Sequence, residues 1–486
     1  MTMRYDLVLR NGVLIDGTGD PRRGADVAIK GDRIAAVAAP GELRGDNEFD
    51  ASGLIVAPGF IDVHTHDDTA LIENPDMAMK VSQGVTTVIC GNCGASPAPM
   101  TRDTPLGPLS LIVRNREYLA SSFKDFATIV RDARPAVNSA FLIGHSTLRM
   151  SAMGEDLYRE ATPSEVTVMR DLLDASLDEG AIGMSTGLVY APAYAATTDE
   201  VVNVAAALAK WGGVYTTHMR DEGDDILNAL DEAFEVGRRA NVPLIISHHK
   251  CTGRNNFGRM SETLPKIDAA RATQDISFDV YPYDAGSTIL TKGAVAKAER
   301  VIVTWSESVP DAGGRDLADL AQQWNVSLDD AVDRLHPAGA IYFSMHERDV
   351  QSALSHPVAM VGSDGLPFDT FPHPRLWGAF TRVLGHYSRD LKLFPLEDAV
   401  RRMTSLPAAK FGLTGRGVVR AGAYADICVF DADTVIDAAS FQDPVAPSKG
   451  IALVLVNGSV AWGDGMNTCG RNGQVLLRQE LQSEAR

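Results

Sequence analysis

The chain is poor in cysteine, with five in 486 residues. An odd count at irregular spacing does not make a disulfide framework, so a reducing cytoplasm is the expected compartment. Long hydrophobic runs are missing as well. No stretch reaches the roughly 20 apolar residues of a membrane span. The opening MTMRYDLVLRNG alternates charged and apolar residues and lacks the apolar core of a secretory signal. Positive charge is also in deficit: 45 Lys and Arg stand against 63 Asp and Glu, a formal net charge of −18. Nucleic acid is thereby disfavoured as a partner, because neutralising phosphates needs concentrated Lys and Arg. Any anionic substrate must meet local cations instead. With 45% hydrophobic and 22% charged residues, the chain can bury a sizeable core.

Short alternating strands with turn signals fill residues 1–58: YDLVLRNG, GVLIDGTG, ADVAIKGDRIAAVAA and ASGLIVAPG. From Phe60 the pattern changes to apolar runs of strand length separated by amphipathic helical stretches, the alternation of βα units around a parallel sheet. There are eight such runs, ending at His66, Cys90, His145, Ser185, His218, His249, Tyr283 and Asp364. Helix signals fall between them. Thr162, Pro163, Ser164 and Glu165 form a capping box with proline at the first helical position, Gly180 closes that helix, and Thr197 to Glu200 repeats the device. Eight βα repeats predict a (β/α)8 barrel spanning 59–411, whose reactive groups gather at the C-terminal ends of the strands. A doubly wound open sheet is the alternative, and no Gly-rich dinucleotide fingerprint supports it. GGRDLADLAQQWN and SLDDAVDRL give a stretch at about 287–341 its own helices, so it reads as an inserted subdomain. β character returns after Phe411, and residues 1–58 and 412–486 are expected to pair into one flanking β domain.

His64 and His66 end the first run two residues apart, so on a strand both imidazoles face the same way and can reach one ion. An H-x-H pair alone is a weak signal. Cys93, His218 and His248 each follow a different apolar strand, and together the strand ends supply soft and borderline metal ligands.

At these residues the sequence resembles the amidohydrolase superfamily and, within it, the N-acyl-D-amino-acid deacylases. The resemblance runs through VLRNGVLIDGTG, VAPGFIDVHTHDD, SQGVTTVICGNCG, GAIGMSTGLVYAP, THMRDE, ISHHK, YPYDAGSTIL, MVGSDGLP, HPRLWGAF and the segment ending ADICVFD. GNCG and SHHK point to this branch, whereas PGFIDVHTH and ADICVFD mark only the superfamily. Many relatives bridge two metals with a carboxylated lysine, and in this branch a cysteine of GNCG takes that place. The resemblance thus implies a tight Zn²⁺ site of Cys93, His218 and His248, and a weaker second site of His64 and His66 beside Asp364. Of the adjacent pair His248 and His249 only one can face the mouth, and the family's motif favours His248, with His249 as the alternative if the strand end bulges. Cys90 reads as a buried small hydrophobe and His145 as a packing or supporting histidine.

The implied reaction is hydrolysis of the amide of an N-acyl-D-amino acid, with Asp364 taking a proton from water and handing it to the departing amine. The resemblance assigns the substrate's carboxylate to Lys250, Arg375 and Tyr281, with Tyr283 in reserve. The resemblance implies that members favouring acidic D-amino acids carry an extra cation after STIL; here TKGAVAKAERV offers Lys292 and Lys297 but no early arginine, so neutral or broad side-chain preference is expected. A cyclic-amide hydrolase is the rival enzyme reading, opposed by GNCG, and a non-catalytic homologue is the rival from another class, opposed by the presence of every expected ligand.

Overall fold

The computed structural model describes residues 4–101 and 107–484, so Met1 to Met3 of the opening stretch and Ala485 and Arg486 lie outside the described residues. The eight apolar runs form one sheet in chain order: Phe60–Asp62, Val85–Cys90, Asn138–Gly144, Gly183–Gly187, Val214–His218, Leu244–Ile246, Ile276–Val280 and Ala359–Val361. Neighbours pair in parallel throughout. The ring closes where Thr65 bridges Gly365; there Asp364 N–H donates to the His64 carbonyl at 2.7 Å and His66 N–H to the Gly365 carbonyl at 3.1 Å. The fold is therefore a barrel rather than an open sheet. Its strands are buried along their whole length, as expected of a parallel sheet covered by helices. The helix predicted from the capping box runs Pro163–Asp178, with Thr162 N–H donating to Glu165 Oε2 at 2.7 Å.

A nine-stranded sheet flanks the barrel, joining strands from residues 5–58 to strands from residues 427–467. Its first two expected strands are one strand, Tyr5–Leu14. The intervening Asn11 does not turn the chain but sits in a bulge with φ 60°, its N–H held 2.9 Å from Asp26 Oδ1. The end of the chain leaves this sheet and returns to the barrel: Leu476 N–H donates to the Ser139 carbonyl at 2.8 Å, and helix Arg478–Glu484 lies against Leu177 and Trp211.

The inserted segment folds as three antiparallel strands, Ala285–Ile289, Arg300–Ser306 and Ala338–Phe343, with helices Leu317–Trp324 and Leu328–Leu335 and a small core of its own. Its sheet begins and ends slightly outside 287–341, because pairing of Ala285 with Phe343 closes the insert at its base. Ser287, Thr288, Ile289 and Tyr342 line the barrel mouth from this side.

Barrel closure leaves little room between the first and eighth strands. A Cβ on Gly362 would stand 2.5 Å from His64 Cβ and 3.2 Å from the His64 backbone nitrogen, a side chain and backbone that cannot both retreat. Gly362→Ala is expected to destabilise the protein by about 1–3 kcal/mol, the usual range for overpacking. Urea unfolding followed by circular dichroism would measure it.

Candidate metal centre

Cys93 lies at the centre of the mouth. Its Sγ is 3.3 Å from His64 Nε2 and 3.5 Å from His248 Nε2, and His248 Nε2 is 3.0 Å from His218 Nδ1. On the other side His66 Nε2 is 3.2 Å and His64 Nε2 3.5 Å from Asp364 Oδ1. The donor atoms fall into two groups that share the sulfur: His64, His66, Cys93 and Asp364; and Cys93, His218 and His248, each with its atoms within 4.8 Å of one another. Thiolate, imidazole and carboxylate at these separations fit a divalent transition metal ion, or two sharing the sulfur.

Burial alone raises a thiol's pKa, but the charges of His64 and His248 outweigh it and hold Cys93 well below the ordinary thiol value. Cys90, three residues earlier in the strand, has the opposite fate. Buried and facing Asp68 and Asp67, it is pushed well above the ordinary value and stays a neutral thiol. Asp364 is also buried, yet Arg375, His66 and the other histidines hold its carboxyl well below the usual range.

Three of these residues have left-handed backbones, Cys93 at φ 52°, His248 at φ 36° and Asp364 at φ 48°. Each conformation costs a non-glycine residue about 1–3 kcal/mol and persists only where surrounding bonds enforce it. Those bonds are present. Asp279 Oδ1 accepts the His248 N–H at 2.9 Å while its Oδ2 lies 3.3 Å from His64 Nδ1. Asp68 Oδ1 accepts the Gly91 N–H at 2.8 Å, tying the Cys93 loop to the first strand. The N–H of Ser146, in the first turn of helix His145–Met153, donates to the Gly94 carbonyl at 2.9 Å.

The adjacent histidines separate cleanly. His248 faces the mouth, whereas His249 turns into the wall, its Nε2 3.0 Å from Thr263 Oγ1, and burial lowers its pKa to about 3. His145 lies away from the donor groups, with Nε2 3.1 Å from Glu200 Oε1. Burial opposes ionisation of Glu200, but His145 and Arg149 outweigh it and hold the carboxyl at about 2.

Tyr281, Lys250, His66, Cys93, His218, His248 and Asp364 all line one cavity of about 550 Å³, with apolar walls from Leu111, Ile112, Val189, Ile289 and Leu366. Arg375 reaches it through its contacts: Nη1 is 2.8 Å from Asp364 Oδ2 and the guanidinium stacks 4.5 Å from the Tyr281 ring centre. Tyr283 points elsewhere, its hydroxyl donating to Asp437 Oδ2 at 3.4 Å. Lys297 lies on the cavity wall, while Lys292 pairs outward with Asp333 at 2.7 Å.

Sequence reasoning missed Glu222. Its Oε1 is 2.9 Å from His248 Nδ1 and 2.7 Å from Lys250 Nζ, and its Oε2 is 3.5 Å from His218 Nε2. Burial opposes the charged form, but Lys250, His218 and His248 outweigh it and hold this carboxyl far below its ordinary value. A carboxylate accepting from Nδ1–H leaves the Nε2 lone pair of His248 free for an ion. The available signal was its position four residues beyond His218 in THMRDE. Asp279 was missed too, though a lone Asp in the apolar run ISFDV was a signal of the same kind.

The amidohydrolase family model matches residues 47–298 and 315–461. The chain belongs to the amidohydrolase family. Within it the chain falls in the branch of the D-aminoacylases: it is 51% identical over 474 residues to the D-aminoacylase of Alcaligenes xylosoxydans xylosoxydans, covering 98% of each chain. A solved D-aminoacylase, described as having a binuclear metal center, superposes with a TM-score of 0.95 at 51% identity over 97% of this chain and all of that one. N-acyl-D-glutamate deacylase from Bordetella bronchiseptica, solved with zinc and a phosphonate inhibitor that mimics the tetrahedral intermediate, gives 0.95 at 44% identity, covering 98% of this chain and 100% of that one. Among the described residues, no helix of this amidohydrolase is long and apolar enough to cross a membrane.

Two measurements follow from this geometry. Cys93→Ala is expected to lose bound metal and more than about 100-fold in activity, a larger effect than loss of a supporting residue, while Cys90→Ala keeps both. Metal analysis of the two purified variants reads the difference. For Glu200 the folded pKa of about 2 lies below the ordinary 4.5, so its ionised form stabilises the fold above pH 4.5 and that contribution is lost as the pH falls towards 2. The stability deficit of Glu200→Gln in urea is therefore constant near neutrality and narrows below pH 4.5.

Proposed function

We propose that this protein is a zinc-dependent N-acyl-D-amino-acid deacylase, hydrolysing the amide to a carboxylate and a free D-amino acid. The observation that carries the reading is the pair of donor groups sharing the Cys93 sulfur, with Asp364 in one of them and Lys250 and Tyr281 on the same cavity. The D-aminoacylase and the zinc-bound N-acyl-D-glutamate deacylase to which the chain is similar support the substrate class and the metal.

Cys93, His218 and His248 would hold one ion, and His64, His66 and Asp364 the weaker second. A divalent ion bound there supplies Lewis acidity, drawing charge onto a carbonyl oxygen and acidifying a water molecule. Asp364 is the proton carrier. It takes a proton from the attacking water as the new C–O bond forms, then gives it to nitrogen as the C–N bond breaks, so the amine leaves neutral rather than as an amide anion. Glu222 and Asp279 orient His248 and His64. Lys250, Tyr281 and Arg375 bind the α-carboxylate, with Arg375 bridging that anion and Asp364. The cytoplasm remains the proposed compartment, on the strength of the unpaired cysteines.

The walls of the cavity bear on the amino-acid side chain. Leu111, Ile112, Val189, Ile289 and Leu366 are apolar, Lys292 is engaged with Asp333, and Lys297, the remaining lysine of that segment, stands on the wall exposed to water rather than buried. These features favour a neutral side chain, for an acidic one would sit there without a buried cation. The expected order of kcat/KM is N-acetyl-D-Leu and N-acetyl-D-Met above N-acetyl-D-Glu by at least about tenfold, and each D form above its L form by about 100-fold or more. A D-Glu value at the top would overturn the side-chain assignment, and equal D and L rates would overturn the stereochemical one.

A further inference from the structure

The first and eighth strands are joined differently from every other neighbouring pair of the barrel. Between them the backbone makes only the Thr65–Gly365 bridge, and the rest of the seam is side-chain chemistry. At its centre is Lys80, from the short helix Ala78–Val81, with no exposed surface. An ammonium has three protons to donate, and Lys80 Nζ makes three hydrogen bonds: to Asp62 Oδ2 at 2.7 Å, Thr65 Oγ1 at 2.9 Å and Ser363 Oγ at 2.9 Å. Asp67 Oδ2 lies 3.1 Å away as a further counter-charge. Asp62 extends the link through its other oxygen, accepting the Ser363 N–H at 2.9 Å and the His64 N–H at 3.3 Å.

These partners alternate with the candidate ligands. Thr65 lies between His64 and His66, and Ser363 directly precedes Asp364. We propose that Lys80 is a positioning residue: by tying Thr65 to Ser363 it sets His64 and His66 against Asp364 and so builds the second donor group, without touching substrate or ion. The purely structural alternative is that Lys80 neutralises buried carboxyl groups and matters only for folding. The two differ in where damage appears. Cys93, His218 and His248 follow other strands and are not among the hydrogen-bond or ion-pair partners of Lys80, so a positioning defect strikes the second group more than this one, whereas a folding defect strikes both.

The inference rests on the metal-dependent reading above, and its test does not need turnover. Metal-stripped wild type, Lys80→Met, Ser363→Ala and Thr65→Val are titrated with cobalt(II), following the thiolate-to-cobalt absorption and the visible bands. The first equivalent should give the same thiolate band and affinity in all four proteins. The second should bind Lys80→Met about 10–100-fold more weakly, and the two hydroxyl variants several-fold more weakly with melting temperatures close to wild type. With one equivalent bound, kcat for Lys80→Met should fall by a similar factor, while KM stays within about twofold because Lys250, Tyr281 and Arg375 are not among the partners of Lys80. Wild-type affinity for the second equivalent in a folded Lys80→Met overturns the proposal, as does equal weakening of both equivalents. Where Lys80→Met does not fold, unchanged second-equivalent affinity in a Ser363→Ala/Thr65→Val double variant overturns it. Absence of wild-type turnover on N-acyl-D-amino acids overturns the functional reading instead, and leaves the cobalt comparison to judge Lys80.

Discussion

A thiolate buried among imidazoles is the arrangement on which the rest of this structure depends. An isolated anion removed from water is costly enough that an ordinary thiol would stay protonated, as Cys90 does a few residues away. Cys93 differs because His64, His218 and His248 crowd around its sulfur. Each imidazole is in turn backed by a carboxyl group, Asp279 behind His64 and Glu222 behind His218 and His248. The arrangement is rich in negative donors, and a divalent cation is the partner such a donor set fits.

Building it requires backbone that the chain does not adopt readily. Left-handed conformations at Cys93, His248 and Asp364 turn each side chain out of its strand and into the mouth, where a continued strand would have sent alternate residues to opposite walls. Such strain is stored only where the scaffold is over-determined. Here the scaffold includes Asp279, Asp68 and the first turn of helix His145–Met153, each of which holds a segment carrying one of the donors. The same need explains why Gly362 has no side chain, since the eighth strand must pass close behind His64.

What was legible in the sequence was whatever repeats or is local. All eight barrel strands showed as apolar runs, and helix Pro163–Asp178 announced itself through its cap. The runs nevertheless overshoot the strands. FIDVHTH reads as one strand to His66, but pairing with the second strand stops at Asp62, because the last residues leave the ladder to bend into the mouth. Hydropathy registers burial, and these residues remain buried after the ladder ends. The alternation of YDLVLRNGVLIDG likewise hid a bulge at Asn11 that resembled a turn. The brought-together candidates were visible because they sit at strand ends in quotable motifs. Lys80 and Asp279 were not, for neither has a local pattern: Asp279 meets His64 across 215 residues of chain, and Lys80 meets Ser363 across 283. A polar residue inside an apolar run signals that a partner exists without saying which.

The cations of the cavity pose a problem that net charge alone would leave unsolved. A chain of formal charge −18 does not draw a small carboxylate towards itself, so affinity for one has to arise at short range. Lys250 and Arg375 are not free to search for it. Lys250 is held between Glu222 and the ring of Tyr281, and Arg375 between Asp364 and the Ser287 carbonyl, stacked on the same ring. Partnering weakens the field each cation presents, yet it also fixes two long side chains that would otherwise lose on the order of 2 kcal/mol of rotamer freedom apiece on binding. In a buried mouth of low dielectric the second effect is the more useful one, since a charge already in place interacts strongly at contact and needs no reorganisation when the anion arrives. The internal carboxylates of this acidic protein therefore do not simply oppose an anionic ligand; they hold in position the groups that would receive it.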